Sequence, residues 1–591
     1  MLDPRIYRTG MIVVVLAVIV LAFSFEDQQG AAGTSLAPQA FNGQNAFAGM
    51  VSMARDDPVR RPGSDGDGAL GAEVASGLRK YGFGVSTDIF KGRTVDGVRT
   101  LENVVGIRPG LSGGSIVVVA HRDSLGSPAT ADVSGTSTLI ELARDLAGET
   151  LHRTVVLAST SGSAGTAGAI RLASTLAGPV DAVIALGDLA SQHIRGPVVV
   201  PWSSGQAVAP PRLRNTIAAA LSAQASLPPG GTSIFGQFVH LAFPLTLSEQ
   251  GPFGAQGVPA VLLSRSGERA PANQAPTSPA PITAMGRTVL ETISALDGAP
   301  SVAKPSAYVL FSGKVVPGWA IRLFVLALIL PVLGTTIDGL ARVRRRGHSV
   351  LRWVLWVLTG ALPFALAALL VEAARLLGVL KIIPRAPVQA GAIPLGRAGT
   401  TVLAAVALVL AIGFALRPTL IRLIGEQPSW SQRTREPVSP GAAAAVLLVM
   451  CVVTIAIWAE NPFAAALIVP ALHLWMWVVT PDVRVRPVFV LLLLLAGVAA
   501  PALMFVYYGV TLGLGPVGVA WSATLQLAGG IFGLLAAIEW SVVLGCLASV
   551  VAIAVRGARE VRPEQIPVTV RGPITYAGPG SLGGTKSALR R

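Results

Sequence analysis

The stretch VVVAHRDSLGSPATADVSG, from Val117 to Gly135, gathers the groups best able to do chemistry. His121 and Asp123 form a His-x-Asp pair at the end of an apolar run, and Asp132 follows nine residues after Asp123. Asp188, in IALGDLA, again ends an apolar run. One imidazole and two carboxylates make a donor set for a zinc-like ion. Asp123, two positions from His121, is the carboxylate expected to orient that ring from outside the ligand set. The same residues also read as a polar strand end, a helix N-cap at Asp132 and a loop acid. Spacing alone leaves the two readings open.

The elements that must position these groups follow from periodicity. Between residues 26 and 305 short apolar runs alternate with helical patterns. SIVVVAH, RTVVLAST and VDAVIALGD read as strands, and SGTSTLIELARDLAG and AGAIRLASTLAG as helices between them. Strands alternating with helices imply an α/β domain whose mostly parallel central sheet carries helices on both faces. His121 and Asp188 then lie at the carboxyl ends of strands, the edge where such sheets gather ligands.

The rest of the chain is of another kind. Of 591 residues 52% are hydrophobic and 13% charged, a balance set by apolar runs long enough to cross a bilayer. A first run near residues 11–25 follows Arg5 and Arg8 and reads as an uncleaved anchor. Further spans are expected at 318–338, 351–375, 399–416, 441–459, 462–480, 487–508 and 531–556, which makes about eight in all; the segment 515–530 is an extra span, a re-entrant piece or an interfacial helix. Arginines concentrate in alternate loops, such as RVRRRGHSVLR and TPDVRVRP, while AENP and GVTLGLGPVG carry no positive charge. The positive-inside rule puts both termini in the cytoplasm and the α/β domain outside the plasma membrane. The net charge of +15 is thereby assigned to membrane orientation, and no nucleic-acid partner is expected. The expected domains are an anchor (1–25), an exported domain (26–305), a seven-span bundle (306–560) and a cytoplasmic tail (561–591). Both cysteines, Cys451 and Cys546, fall in apolar runs, which leaves no disulfide or thiol chemistry for the exported domain. Ionisable groups inside spans are costly and mark candidate functional positions; His473 and Glu539 are the main ones, with Glu372 nearer an interface. No internal repeat supports the two-halves pattern of a transporter.

On its motifs the exported domain resembles the family 28 metallopeptidases, the co-catalytic zinc aminopeptidases and their relatives. LENVVGIRPG, IVVVAHRDS and TADVSGTSTLIELARDLAG occur in the family's order and spacing, and VRRPGSDGDGALGAEVASGLRKYGFGV matches the approach to its first helix. The resemblance covers roughly residues 40–300. It implies a zinc-aminopeptidase-like α/β fold with His121, Asp132 and Asp188 as the ligands of one metal. The family's Glu-Glu pair, its general base and a ligand of the second metal, falls on Gly162 and Ser163 in VVLASTSGSAGTAGA. The final histidine is absent from RSGERAPANQAPTSPAP, and the Ser-Asp-His-x-x-Phe motif reads SEQGPF. His152, His193, His240, Glu249 and Glu268 are the conceivable substitutes. In architecture, one anchor, an exported peptidase-like domain and seven spans, the chain resembles the attachment subunit of the GPI transamidase.

The expectation is therefore a membrane-anchored peptidase-like protein with a degenerate site. It would bind or present a peptide, a lipid-linked substrate or a protein partner, and hold one zinc or none. The alternatives are an active single-metal hydrolase or transferase using His121, Asp132 and Asp188, and a transporter with an accessory exported domain.

Overall fold

The computed structural model describes residues 4–34, 38–345, 350–380, 383–389, 391–424, 440–480 and 486–559. The tail expected at 561–591 and parts of the arginine-rich loops lie outside these residues. The α/β part contains a seven-stranded sheet in the order β2-β3-β5-β4-β6-β8-β7. Its strands are β2 (Gly84–Thr94), β3 (Gly97–Arg108), β4 (Ser115–His121), β5 (Thr154–Thr160), β6 (Val180–Leu186), β7 (Val199–Val200) and β8 (Ala260–Leu263). Strands β5, β4, β6 and β8 run parallel, whereas the β2–β3 hairpin is antiparallel and joins β5 antiparallel. The sheet is thus mixed, with a parallel centre and antiparallel edges. The hairpin turns at Gly97, whose φ of +100° is open to glycine and strained for other residues.

The central strand shows why an unbroken apolar run predicts burial on both faces. Ile116, Val118 and Ala120 pack into one core with α2 (Gly43–Asp56), α3 (Asp65–Lys80), α4 (Ser134–Asp145), α6 (Pro211–Ala225) and α9 (Pro279–Asp297). Val117 and Val119 point the other way, into a second core with α5 (Ala167–Thr175) and α8 (Gln250–Ala255). Each of these valines is fully buried, which stabilises the fold by about 1.5–3 kcal/mol per side chain.

Among the described residues eight helices are long and apolar enough to cross a membrane. They are α1 (Pro4–Phe23), α10 (Gly318–Arg345), α11 (Val350–Leu376), α12 (Arg397–Ile424), α13 (Pro440–Glu460), α14 (Pro462–Val479), α15 (Pro487–Leu512) and α17 (Leu534–Arg559). The segment left open at 515–530 forms α16, Pro516–Ala528, of 13 residues. At 1.5 Å per residue it is about 20 Å long, too short for a hydrocarbon core of about 30 Å. Two stems connect bundle and domain. Strand β1 (Glu26–Asp27) follows α1, the hairpin β9–β10 (Tyr308–Phe311 and Lys314–Pro317) precedes α10, and the three strands pair as one small sheet.

The α/β domain also rests directly on the bundle. Helix α7 (Ile234–Ala242) packs against α14. Asn461 joins them: its Nδ2 donates to the carbonyls of Leu241 (2.9 Å) and Ala242 (3.0 Å), while its Oδ1 accepts from the amides of Phe463 and Ala464. One side chain caps the start of α14 and closes the end of α7. The Tyr508 hydroxyl on α15 donates to Phe243 O at 2.5 Å.

The candidates inside the spans are placed as follows. His473 accepts from the Tyr7 hydroxyl of α1 at Nδ1 (2.9 Å) and donates from Nε2 to Leu328 O of α10 (2.8 Å). Both ring nitrogens are thereby used to tie three helices together. Glu539 is buried near the end of α17 that faces the α/β domain, beside Trp540, which packs on Phe243. Glu372 pairs with Arg375 one turn on.

Candidate functional site

The carboxyl ends of β4, β5 and β6 open into one cavity. It is lined by His121, Asp132, Ser163, Asp188, Glu249 and Glu268, and by Pro387, Val388 and Gln389 from the connection between α11 and α12. The three residues that spacing singled out do reach one site. Parallel pairing of Ala120 with Leu186 aligns the ends of β4 and β6, and a short 3-10 turn, Thr130–Val133, carries Asp132 in ahead of α4.

The side chains are held as follows. His121 Nε2 lies 3.9 Å from Asp132 Oδ1, and Nδ1 lies 3.7 Å from Glu249 Oε2. Both separations exceed a hydrogen bond. Burial would lower the imidazole's pKa, but the two flanking carboxylates outweigh it and hold His121 well above its ordinary value. Asp132 Oδ2 accepts from Ser124 Oγ at 2.6 Å. Asp188 is fully engaged: Oδ1 accepts from the amides of Ala190 (3.1 Å) and Ser191 (2.9 Å), and Oδ2 accepts from Ser266 Oγ at 2.5 Å. Among the described residues no three His, Cys, Asp or Glu side chains are placed to hold a metal ion. As arranged, these residues do not fit a resident zinc.

Asp123, expected to steady His121, makes its hydrogen bonds elsewhere. Its carboxylate accepts from the Ser163 amide (3.0 and 3.1 Å) and the Ser163 hydroxyl (2.9 Å). Burial and the nearby Asp67 push it up to about 7. The carboxylate facing His121 Nδ1 is instead Glu249, one of the conceivable substitutes. Its Oε1 accepts from Thr160 Oγ1 at the end of β5. Its Oε2 is buried without a hydrogen-bond partner. The altered motif SEQGPF supplied the sequence signal, since it retained an acid where an aspartate is usual.

The other substitutes separate clearly. Glu268 lines the cavity, accepting from Thr246 Oγ1. His240 stacks on Trp202 with ring centroids 4.6 Å apart and meets the Tyr507 hydroxyl at 3.2 Å, at the contact with α15. His152 and His193 are not among the cavity's lining residues. The position expected for a final histidine is occupied by the segment of Arg265, whose guanidinium donates to Ser191 O (2.5 Å) and Gln192 O (3.0 Å).

Glu268 makes a pH-dependent contribution. Burial raises its carboxyl from 4.5 to about 7, despite bonds from Thr246, Leu247 and Gln250. Between these values the native chain keeps a proton that the unfolded chain has lost, so stability falls as pH rises through this window. Glu268→Gln should flatten that fall and raise the melting temperature above pH 7, read from melting curves at pH 5, 6, 7 and 8. An unchanged slope would place this titration elsewhere.

Positions 162 and 163 are shaped as well as occupied. Gly162 has φ +85°. A Cβ there would stand 2.9 Å from Leu101 Cδ1 and 3.0 Å from Ala167 Cβ. Ser163 is committed to Asp123. Gly165 next to them presses on Pro384 of the bundle, with a Cβ position only 2.3 Å from that ring's Cβ.

No family model matches the sequence, and no curated protein matches it. Among solved structures the chain is similar to a glutaminyl cyclase from Porphyromonas gingivalis, at 16% identity and TM-score 0.31, over 43% of this chain and 98% of that one. It is similar to a leucine aminopeptidase precursor from Bacteroides thetaiotaomicron at 14% identity and TM-score 0.35, over 43% and 97%. It is also similar to an aminopeptidase from Aneurinibacillus sp. strain AM-1 at 11% identity and TM-score 0.37, over 46% and 97%. These neighbours are aminopeptidase-like and glutaminyl-cyclase-like folds at low identity.

Proposed function

We propose that this chain is a membrane-anchored, peptidase-like binding protein whose cavity receives a peptide or lipid-linked substrate, or a segment of a protein partner, without ordinary aminopeptidase turnover. The observation that carries this reading is Gly162. The family resemblance puts the water-activating glutamate there, and the backbone has φ +85° with side-chain space closed by Leu101 and Ala167. A missing acid–base partner costs about 10²–10⁴ in rate, and an absent second metal removes further charge stabilisation.

The cavity wall supports a substrate at the membrane surface. Pro387, Val388 and Gln389 close one side of it. Arg269 donates to the carbonyls of Val510 (2.5 Å) and Thr511 (2.6 Å) near the end of α15, and the Ala270 amide donates to Gln389 Oε1 at 3.2 Å. A ligand in the cavity would therefore touch both α/β domain and bundle. The arginine distribution supports placing the domain outside the plasma membrane with both termini in the cytoplasm. The likeness in architecture to the GPI-transamidase attachment subunit belongs to the same reading.

The test is metal content and peptidase turnover of the purified full-length protein, beside His121→Ala and Asp132→Ala. The expected result is no stoichiometric zinc and no aminoacyl-arylamide hydrolysis that depends on His121. About one zinc per chain, lost in Asp132→Ala, would support the single-metal hydrolase or transferase instead. His121-dependent turnover would overturn the binding reading outright.

A further inference from the structure

Among the described residues the bundle holds a cation with no acid paired to it. Arg417, near the end of α12, is 8% exposed. Its Nε donates to Thr359 Oγ1 (3.3 Å), and its Nη2 donates to Trp356 O (3.2 Å) and Ser549 Oγ (3.1 Å). The two hydroxyls are oriented as acceptors, because each gives its own proton to the backbone of its helix: Thr359 to Trp356 O, Ser549 to Gly545 O. Gly360 makes the room, since a Cβ there would come within 3.1 Å of Nη2 and 2.9 Å of Gly545 O.

These neighbours satisfy hydrogen bonds and leave the charge. The charged group that acts on Arg417 is another cation, Arg556 of α17. Both guanidinium groups face the Trp356 ring, at 5.0 and 5.8 Å from its centroid. Among the described residues no ion pair joins either of them to a carboxylate. A buried cation in an apolar bundle with a second cation acting on it is costly, and an anion near both relieves that cost. Paired guanidinium forks suit the oxygens of a phosphate.

We propose that Arg417 and Arg556 bind a phosphate group at the bundle end formed by the start of α11 and the ends of α12 and α17. A phospholipid headgroup and free phosphate share this chemistry. The surroundings favour the lipid: Leu355, Leu358, Leu416 and Val555 on the same three helices are exposed apolar residues, a surface for acyl chains beside the charged pair. Arginines at this end also agree with an anionic cytoplasmic leaflet.

The experiment uses the delipidated full-length protein in neutral detergent. Melting temperature is followed against phosphatidylglycerol, phosphatidylcholine and inorganic phosphate, and native mass spectrometry counts retained lipid. The expected result is stabilisation by phosphatidylglycerol above phosphatidylcholine and retention of that lipid. Its apparent affinity should fall about tenfold in Arg417→Gln and in Arg556→Gln, as loss of a charge-assisted bond predicts. Arg556 is exposed, so its variant reports on binding even where Arg417→Gln fails to fold. Stabilisation by millimolar inorganic phosphate, lost in the same variants, would keep the site and assign it to a soluble phosphate. Equal phosphatidylglycerol response in wild type and Arg556→Gln, or no response to any of the three, would overturn the proposal.

Discussion

Arg122→Met should destabilise the α/β domain by about 3–5 kcal/mol, because it strips the partner from a buried carboxylate. Arg122 is the middle residue of His121-Arg122-Asp123 and is fully buried. Its Nε stands 2.9 Å from Asp67 Oδ1, and its hydrogen bonds go to the carbonyls of Asp67 (2.9 Å), Ser159 (3.2 Å) and Glu102 (2.8 Å). The side chain therefore binds α3, β3 and β5 together directly beneath the cavity. Methionine fills much of the volume and offers no donor, so the buried Asp67 loses its cation beside Asp123. A domain is stable by only about 5–15 kcal/mol, so the loss should appear as earlier melting and rapid proteolysis of the domain in the intact protein. Arg122→Lys should recover part of it, since an ammonium restores the charge without the planar fork. A melting curve unchanged in Arg122→Met would show that the ion pair is not what holds these elements.

Gly162→Glu should fail to create a peptidase and should cost about 1–3 kcal/mol of stability. A non-glycine residue in a left-handed conformation carries a backbone penalty of about 1–2 kcal/mol, and its Cβ would press on Leu101 and Ala167 as well. The side chain could enter only by displacing one of them. Aminoacyl-arylamide turnover is the measurement. A rise of about 10² or more over wild type, the size of an acid–base contribution, would mean that position 162 lacks only a functional group and that the degenerate reading is wrong. Ser163→Glu tests the neighbouring position. It breaks the bonds to Asp123 and places a second acid beside a carboxyl already raised to about 7, so it should destabilise the loop rather than recruit a metal.

Local patterns carried the reading of this chain a definite distance. The run SIVVVA announced a strand buried on both faces, and its terminal histidine fell at the sheet edge where a cavity opens. The eight spans were legible because a bilayer imposes length and apolarity on each helix separately. What stayed hidden depends on distant parts of the chain. Glu249 meets His121 only because the segment between α7 and α8 folds back to the end of β5; the motif SEQGPF marks the acid, but its distance from His121 is set by that long-range packing. Arg122 read as a spacer in a three-residue motif, although its contacts come from three other elements. The hairpin β2–β3 carries strand signals without direction, so its antiparallel place at the edge of the parallel centre is not legible locally. Asp188 lines the cavity, and its carboxylate accepts from Ser266, some eighty positions later in the chain.

The pairing of β1 with β10 has a mechanical meaning. The α/β domain is an insertion whose entry and exit strands lie side by side, with Glu26 opposite Val315 and Asp27 opposite Lys314. The helices below continue that contact: α1 packs along α10 so closely that a Cβ on Gly10 would sit 2.7 Å from Pro331 Cα. A domain hung from one flexible stalk could spin and sample a hemisphere above the bilayer. This one stands on a two-legged mount with the legs zipped together, so torque on the domain passes into α1 and α10 as a unit.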